Sequence, residues 1–178
     1  MINFNFEGVR VSVPTKWAEV TVEHFIKKEF LSGNAIQLLS VLSGIPAIKL
    51  ANTTKDLTKH FERAVGFIKA EPLGWRKGSK EEVLLMGVEC RAPVNLELET
   101  FGQKILFGQA LLKSTFHYEA IPEAVAIYLA PQIYPDDWFE RIDEVALEVK
   151  KLPIRNVWSM ADFFLTNTLT LRRGGQII

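Results

Sequence analysis

The opening residues of the chain alternate so strictly that they admit one local fold. Ile2, Phe4 and Phe6 are interleaved with Asn3, Asn5 and Glu7, and Val9, Val11 and Val13 with Arg10 and Ser12. Successive side chains on a strand point to opposite faces, so each run has one apolar face. Folding at Glu7-Gly8 as a two-residue turn pairs Phe6 with Val9, Phe4 with Val11 and Ile2 with Val13. All six apolar side chains then share a face, and Gly8 supplies the positive φ the turn needs. An isolated hairpin is marginal in water, so the rest of the chain has to cover that face.

Most of the remaining sequence reads as helix. Pro14-Thr15-Lys16-Trp17 ends the hairpin, and Thr21 is placed to cap a helix with Val22, Phe25, Ile26 and Phe30 on one side, closed at Ser32-Gly33. Asn34 caps a second helix, apolar nearly all round, with Gly44 at the left-handed C-terminal position and Pro46 beyond it. A third is expected to start near Thr54, where Leu57, Phe61, Ala64, Val65 and Ile68 repeat with helical period until Glu71-Pro72. Residues 73–80 read as a loop with two glycines and the bases Arg76, Lys77 and Lys80.

Residues 83–98 are the second strand-like run. Val94, Leu96 and Leu98 alternate with Asn95, Glu97 and Glu99, while Val83-Leu84-Leu85-Met86 is apolar on both faces and is expected to lie deeper. Gly87 and Pro93 limit this reading and place an edge, bend or bulge near Ala92-Pro93. The run is expected to extend the N-terminal sheet.

Thr100-Phe101-Gly102-Gln103 has the form of a capping box. The helix it opens carries Ile105, Leu106, Leu111 and Leu112, and Gly102 and Gly108 each weaken it by roughly 1 kcal/mol relative to Ala, which points to close packing. Pro122 suits a first helical position, residues 124–130 are apolar enough to be buried, and Pro131 and Pro135 bracket the next turn. Asp136-Asp137 then begin a helix with Phe139, Ile142, Val145, Ala146 and Val149 on one face and Lys150-Lys151 at its end. Pro153 opens the last helix, with Val157, Trp158, Ala161, Phe164, Leu165 and Thr168 aligned, until Arg172-Arg173-Gly174-Gly175. The expected class is mostly α with a small antiparallel sheet (α+β), two helical halves flanking a central strand segment. Phe-Glu-Arg occurs at 61–63 and again at 139–141, each time after an apolar helix closed at a proline, a weak sign of internal duplication. With no linker between the halves, residues 1–178 are read as a single domain.

Composition narrows the class of function. The chain holds 21 Lys and Arg against 21 Asp and Glu, so it lacks the positive field on which specific nucleic-acid or anionic-membrane binding rests. Cys90 is the sole cysteine, which excludes an intramolecular disulfide and predicts assembly inside a cell. The N-terminus lacks the basic start and long apolar core of a signal peptide, and no apolar run is long enough to span a bilayer, so a soluble protein is expected.

A search for catalytic or ligating groups yields little. His24, His60 and His117 are far apart in sequence, without a helical zinc spacing, and are read as exposed or hydrogen-bonded. Cys90 lies in an apolar context that favours an inert buried thiol. Asp136-Asp137 are read as helix-capping acids rather than a general acid/base pair, since neighbouring residues point apart. Gly174-Gly175 follows a helix rather than opening one, so it forms no phosphate cradle, and Ser114-Thr115 has no triad partner at a suggestive spacing. No catalytic, cofactor or metal site is expected. Two features do point to protein partners: the tail, where Leu169, Leu171, Ile177 and Ile178 surround Arg172 and Arg173, and the tryptophans Trp17, Trp75, Trp138 and Trp158, which fall near predicted ends or loops. The loop from Trp75 to Lys80 joins an aromatic to bases, as a single-stranded nucleic-acid contact does, but the zero net charge favours a solvated loop or one docked on an acidic neighbour.

Several segments resemble small structural proteins of tailed bacteriophages, in particular the crAss-like phages of Bacteroidetes. They are Val13-Pro14-Thr15-Lys16-Trp17-Ala18-Glu19-Val20-Thr21, Leu39-Ser40-Val41-Leu42-Ser43-Gly44-Ile45-Pro46, Ala124-Val125-Ala126-Ile127-Tyr128-Leu129-Ala130-Pro131, and residues 157–164. The resemblance implies a virion component of the neck or tail, such as a ring or connector protein below the portal, assembled in the host cytoplasm. A tail-assembly chaperone or adaptor resembles the chain nearly as well, and a small enzyme is a distant third reading. The implied partners are further copies of the chain in a ring-like homo-oligomer and other neck, tail or portal proteins, with no small-molecule substrate, cofactor, membrane or specific nucleic acid. In a closed ring each subunit presents two different, complementary faces. Trp75, Arg76, Lys77, Lys80, Leu171, Arg172, Arg173, Ile177 and Ile178 are the expected interface residues.

Overall fold

The computed structural model describes residues 1–31, 34–53, 61–62, 65–69, 82–92, 100–114 and 117–173, with side chains described except at 117 and 164–173. Its contacts group into two units, one formed by Met1–Trp75 with Pro153–Arg155 and one by Arg76–Leu152 with Asn156–Ile178. Among the described residues seven α-helices accompany two separate two-stranded antiparallel sheets, the α+β arrangement expected.

In the first unit, strands β1 (Ile2–Phe6) and β2 (Val9–Val13) pair in the register the alternation dictates, from Ile2 opposite Val13 to Phe6 opposite Val9. Glu7 and Gly8 both take positive φ, 48° and 82°, the mirror-image turn whose twist matches the strands it joins. Val13 and Val11 are buried at the base, and Phe4 stacks on buried Phe61 with ring centroids 4.2 Å apart. Val9, next to the turn, stays 64% exposed, so the covering stops short of the tip. Trp17 is buried edge-on to Phe67, and its indole N–H donates to the Phe67 carbonyl at 3.2 Å.

Helix α1 (Val22–Glu29) starts where Thr21 predicts: its hydroxyl accepts from the His24 N–H, and His24 Nδ1 accepts from the Thr21 N–H. Asn34 caps α2 (Ala35–Ser43) by accepting from the Ile36 N–H, and Gly44 closes it in the left-handed conformation. A short helix α3 (Ala47–Ala51), not foreseen from Pro46, follows. The expected start of the next helix and its Leu57 and Ala64 lie outside the described residues; Phe61, Val65 and Ile68 are buried, but Gly66–Lys69 is a 3-10 turn rather than a continuation of the expected α-helix. The N–H of Ile154, which the start of a helix leaves without an internal partner, donates to the Val20 carbonyl at 2.8 Å.

The second unit corrects the reading of 83–98. The chain turns back at Met86-Gly87 (φ 52° and 81°), so β3 (Glu82–Leu85) pairs with β4 (Val88–Arg91) in a hairpin of its own, not in the N-terminal sheet. Val83, Leu85 and Cys90 face inward, while Leu84 is 68% and Met86 41% exposed, so this end is half-buried rather than deep. Residues 93–99 lie outside the described residues. The outer edge of β4 is closed by a side chain: Gln132 accepts from the Arg91 N–H at 2.9 Å and donates to the Arg91 carbonyl at 3.0 Å, as a neighbouring strand would.

Helix α4 (Phe101–Lys113) opens with the expected capping box, Thr100 and Gln103 exchanging bonds. Helix α5 (Ile121–Ile133) has Pro122 in its first turn and is buried almost all round. It does not stop at Pro131. A proline inside a helix leaves the carbonyl four residues earlier without its donor, and here that carbonyl, on Ile127, accepts from the Gln103 amide at 3.3 Å. One amide thus completes the start of α4 and the end of α5.

The helix expected from Asp136 is a 3-10 turn (Trp138–Arg141) followed by α6 (Ile142–Lys151), and Asp137 makes no side-chain cap bond. Trp138 lies 3.9 Å from where a Cβ on Gly102 would stand. Neighbours in a 3-10 turn diverge by about 120°, so Phe139 turns outward and is 59% exposed, not part of the buried face. The two Phe-Glu-Arg stretches therefore differ: Phe61 is buried and Phe139 exposed. Helix α7 (Ile154–Arg173) follows Pro153, and its Val157, Trp158, Met160 and Ala161 are buried.

Candidate functional site

Of the residues expected to make contacts, Trp75, Arg76, Lys77, Lys80, Ile177 and Ile178 lie outside the described residues. Leu171, Arg172 and Arg173 form the last turn of α7, where the backbone alone is described.

In the first unit an open cleft of about 260 Å³ is lined by Ser12, Glu23, His24, Lys27 and the end of α2. Its polar groups hold local structure. The His24 Nδ1 is an acceptor within the capping box, which places the ring proton on Nε2, and burial pushes the imidazole below its usual pKa. Ser12 donates to the Asn3 carboxamide, Ser43 to the Leu39 carbonyl, and Lys27 pairs with Glu23. No nucleophile here is aligned on a base.

The second unit holds a polar cluster at the α5–α6 connection. Tyr134 donates to Glu144 at 3.1 Å and accepts from Arg141 at 3.3 Å, while Arg141 pairs with Glu144 at 2.7 Å and lies 4.5 Å from the Tyr134 ring centre. The Tyr134 bond and then the Glu144 charge raise the guanidinium pKa further. Tyr134, Glu144 and the outer guanidinium nitrogen of Arg141 engage one another, while the buried Arg141 Nε has no hydrogen-bond partner among the described residues. Cys90 is fully buried, and burial pushes its thiol pKa up, which disfavours the nucleophilic thiolate. Among the described residues no three His, Cys, Asp or Glu side chains are grouped to hold a metal ion, and no helix is long and apolar enough to cross a membrane.

The feature that local structure does not account for is the outer face of α4. Phe107 and Ala110 are buried, Phe107 edge-on to Tyr128 of α5 with centroids 6.1 Å apart. The opposite face carries Phe101, Ile105 and Leu112, which with Gly108 fall at spacings of four, three and four residues, one stripe along a helix. Phe101 is 80% and Leu112 71% exposed, and among the described residues nothing lies within 4 Å of a Cβ built on Gly108, so the close packing expected there is not made by them. The 136–147 segment likewise turns Phe139 and Leu147 to solvent.

Sequence reasoning missed both faces because it grouped the apolar residues of α4 without asking which of them α5 could reach. The available signal was the helix itself, whose leucines and isoleucine lie on more than one side. Comparison of the chain with protein-family models, with curated proteins and with solved structures finds no match.

Proposed function

We propose that the chain is a structural subunit of a tailed-bacteriophage virion, a ring or connector component of the neck or tail, acting through contacts with copies of itself and with neighbouring phage proteins. The observation that carries this reading is the uncovered apolar stripe of α4. A contiguous apolar face left open on a folded helix marks a contact surface. The resemblance to small phage structural proteins gives that surface a setting. The polar groups lining the cleft, bonded to their own neighbours, are consistent with a role that does not rest on catalysis. The same stripe also fits the second reading, a tail-assembly chaperone or adaptor, which lays an amphipathic helix into a groove of another protein.

Light scattering of the purified chain together with negative-stain images tests the first reading against the second. Closed rings of uniform size are expected. A one-chain mass at every concentration would overturn the ring reading in favour of the chaperone.

A further inference from the structure

The two exposed apolar faces of the second unit differ in charge. Helix α4 contains no acidic residue, and its outer face sets Lys104 beside Phe101, Ile105 and Leu112. Lys104 has no ion-pair partner among the described residues. The 136–147 segment is the reverse: exposed Asp136, Glu140 and Asp143 surround Phe139 and Leu147, and its single base, Arg141, is turned to Tyr134 and Glu144. Helices α4 and α6 each pack on α5, and Trp138 of the 136–147 segment lies beside Gly102 at the start of α4.

We propose that the outer face of α4 in one copy of this chain docks on the outer face of the 136–147 segment in a second copy. The apolar residues of the two faces meet at the centre, Lys104 lies against Glu140 and Asp143, and Gly108 lets the partner approach the helix backbone. A second copy is the occupant because the chain carries both members of the pair, matched in apolar character and opposite in charge. An α4-to-α4 contact would bring together two faces that carry Lys104 and no acid to pair with it, and like charges brought near each other oppose association. Because the two faces differ, the contact is either made twice across a two-fold axis or repeated from copy to copy, closing as a ring or running on as a filament, and the assembly mass tells these apart. This inference rests on the structural-subunit reading and adds to it which surfaces meet.

Charge reversal at exposed positions tests it. Lys104→Glu and Asp143→Lys each weaken association at least about tenfold, whereas the double variant, or a one-to-one mixture of the two single variants, recovers most of it. Circular dichroism checks that each variant is folded. On the unmodified chain, carbodiimide coupling in a mixture of isotopically light and heavy copies joins Lys104 of one to Glu140 or Asp143 of another, read by mass spectrometry. Association unaffected by either reversal, or coupling that never joins these positions between copies, would overturn the docking while leaving a self-associating subunit. A one-chain mass for the unmodified protein at every concentration would overturn the docking and the ring together.

Discussion

Helices α1 and α4 begin in the same way and face water differently. Each is opened by a threonine whose hydroxyl accepts from the N–H three residues on and whose own N–H donates back to that residue's side chain, His24 in one and Gln103 in the other. Each anchors a phenylalanine, Phe25 or Phe107, in its own unit. On α1 the outer side chains Glu23 and Lys27 pair with each other, while on α4 the outer side chains are Phe101, Ile105 and Leu112. The inner faces and caps satisfy what folding demands of either helix. The outer face of α4 is not explained by folding, and that difference is what points to a partner.

The comparison breaks most visibly at the anchors. Phe25→Ala and Phe107→Ala are each expected to lower stability by about 3–5 kcal/mol in urea denaturation. A far smaller loss at Phe107 would mean that α4 is not held by its inner face. Gln103→Ala comes next, since it leaves the Thr100 N–H and the Ile127 carbonyl without their partner and should cost about 1–3 kcal/mol. Gln103→Glu retains the bond to Thr100 but not the donor to Ile127, so partial recovery is expected; full recovery would deny the amide its second role.

Gly108→Ala should stabilise the fold by up to about 1 kcal/mol, because none of the described residues resists the added methyl. The same methyl should weaken association, a pairing of effects that a purely internal role for Gly108 would not give.

The smallest effect sharpens the likeness of the two capping boxes. Burial lowers the His24 pKa from the ordinary 6.5, so the unfolded chain binds more protons there than the folded one. The His24 contribution is therefore complete above pH 6.5 and is lost as pH falls below it through the lowered folded value. His24→Gln gives α1 the box that α4 already has and should remove that part of the acid sensitivity in melts between pH 7 and 5.

Features set by neighbouring residues were legible in the sequence, and those set from a distance were not. The β1–β2 register could be read because its outward positions are polar. The β3–β4 hairpin has the same turn geometry, but Leu84 and Met86 face outward and hid the alternation, so Gly87 read as a flaw in one strand. The Thr100–Gln103 box and the Thr21 cap lie within four residues and could be placed, though the part His24 plays in the second was not read; the passage of α5 through Pro131 depends on Gln103, remote in sequence, and could not. The exposed face of α4 was hidden because that helix is apolar on both sides, so its composition does not tell the face that meets α5 from the one left open.

The most direct test of the account is sedimentation equilibrium of the unmodified chain beside an Ile105→Glu/Leu112→Glu variant, both at exposed positions of α4. The account predicts an assembly heavier than one chain for the first and the one-chain mass for the second, with unchanged helical circular dichroism. Equal masses for the two, whether both assembled or both single chains, would contradict it.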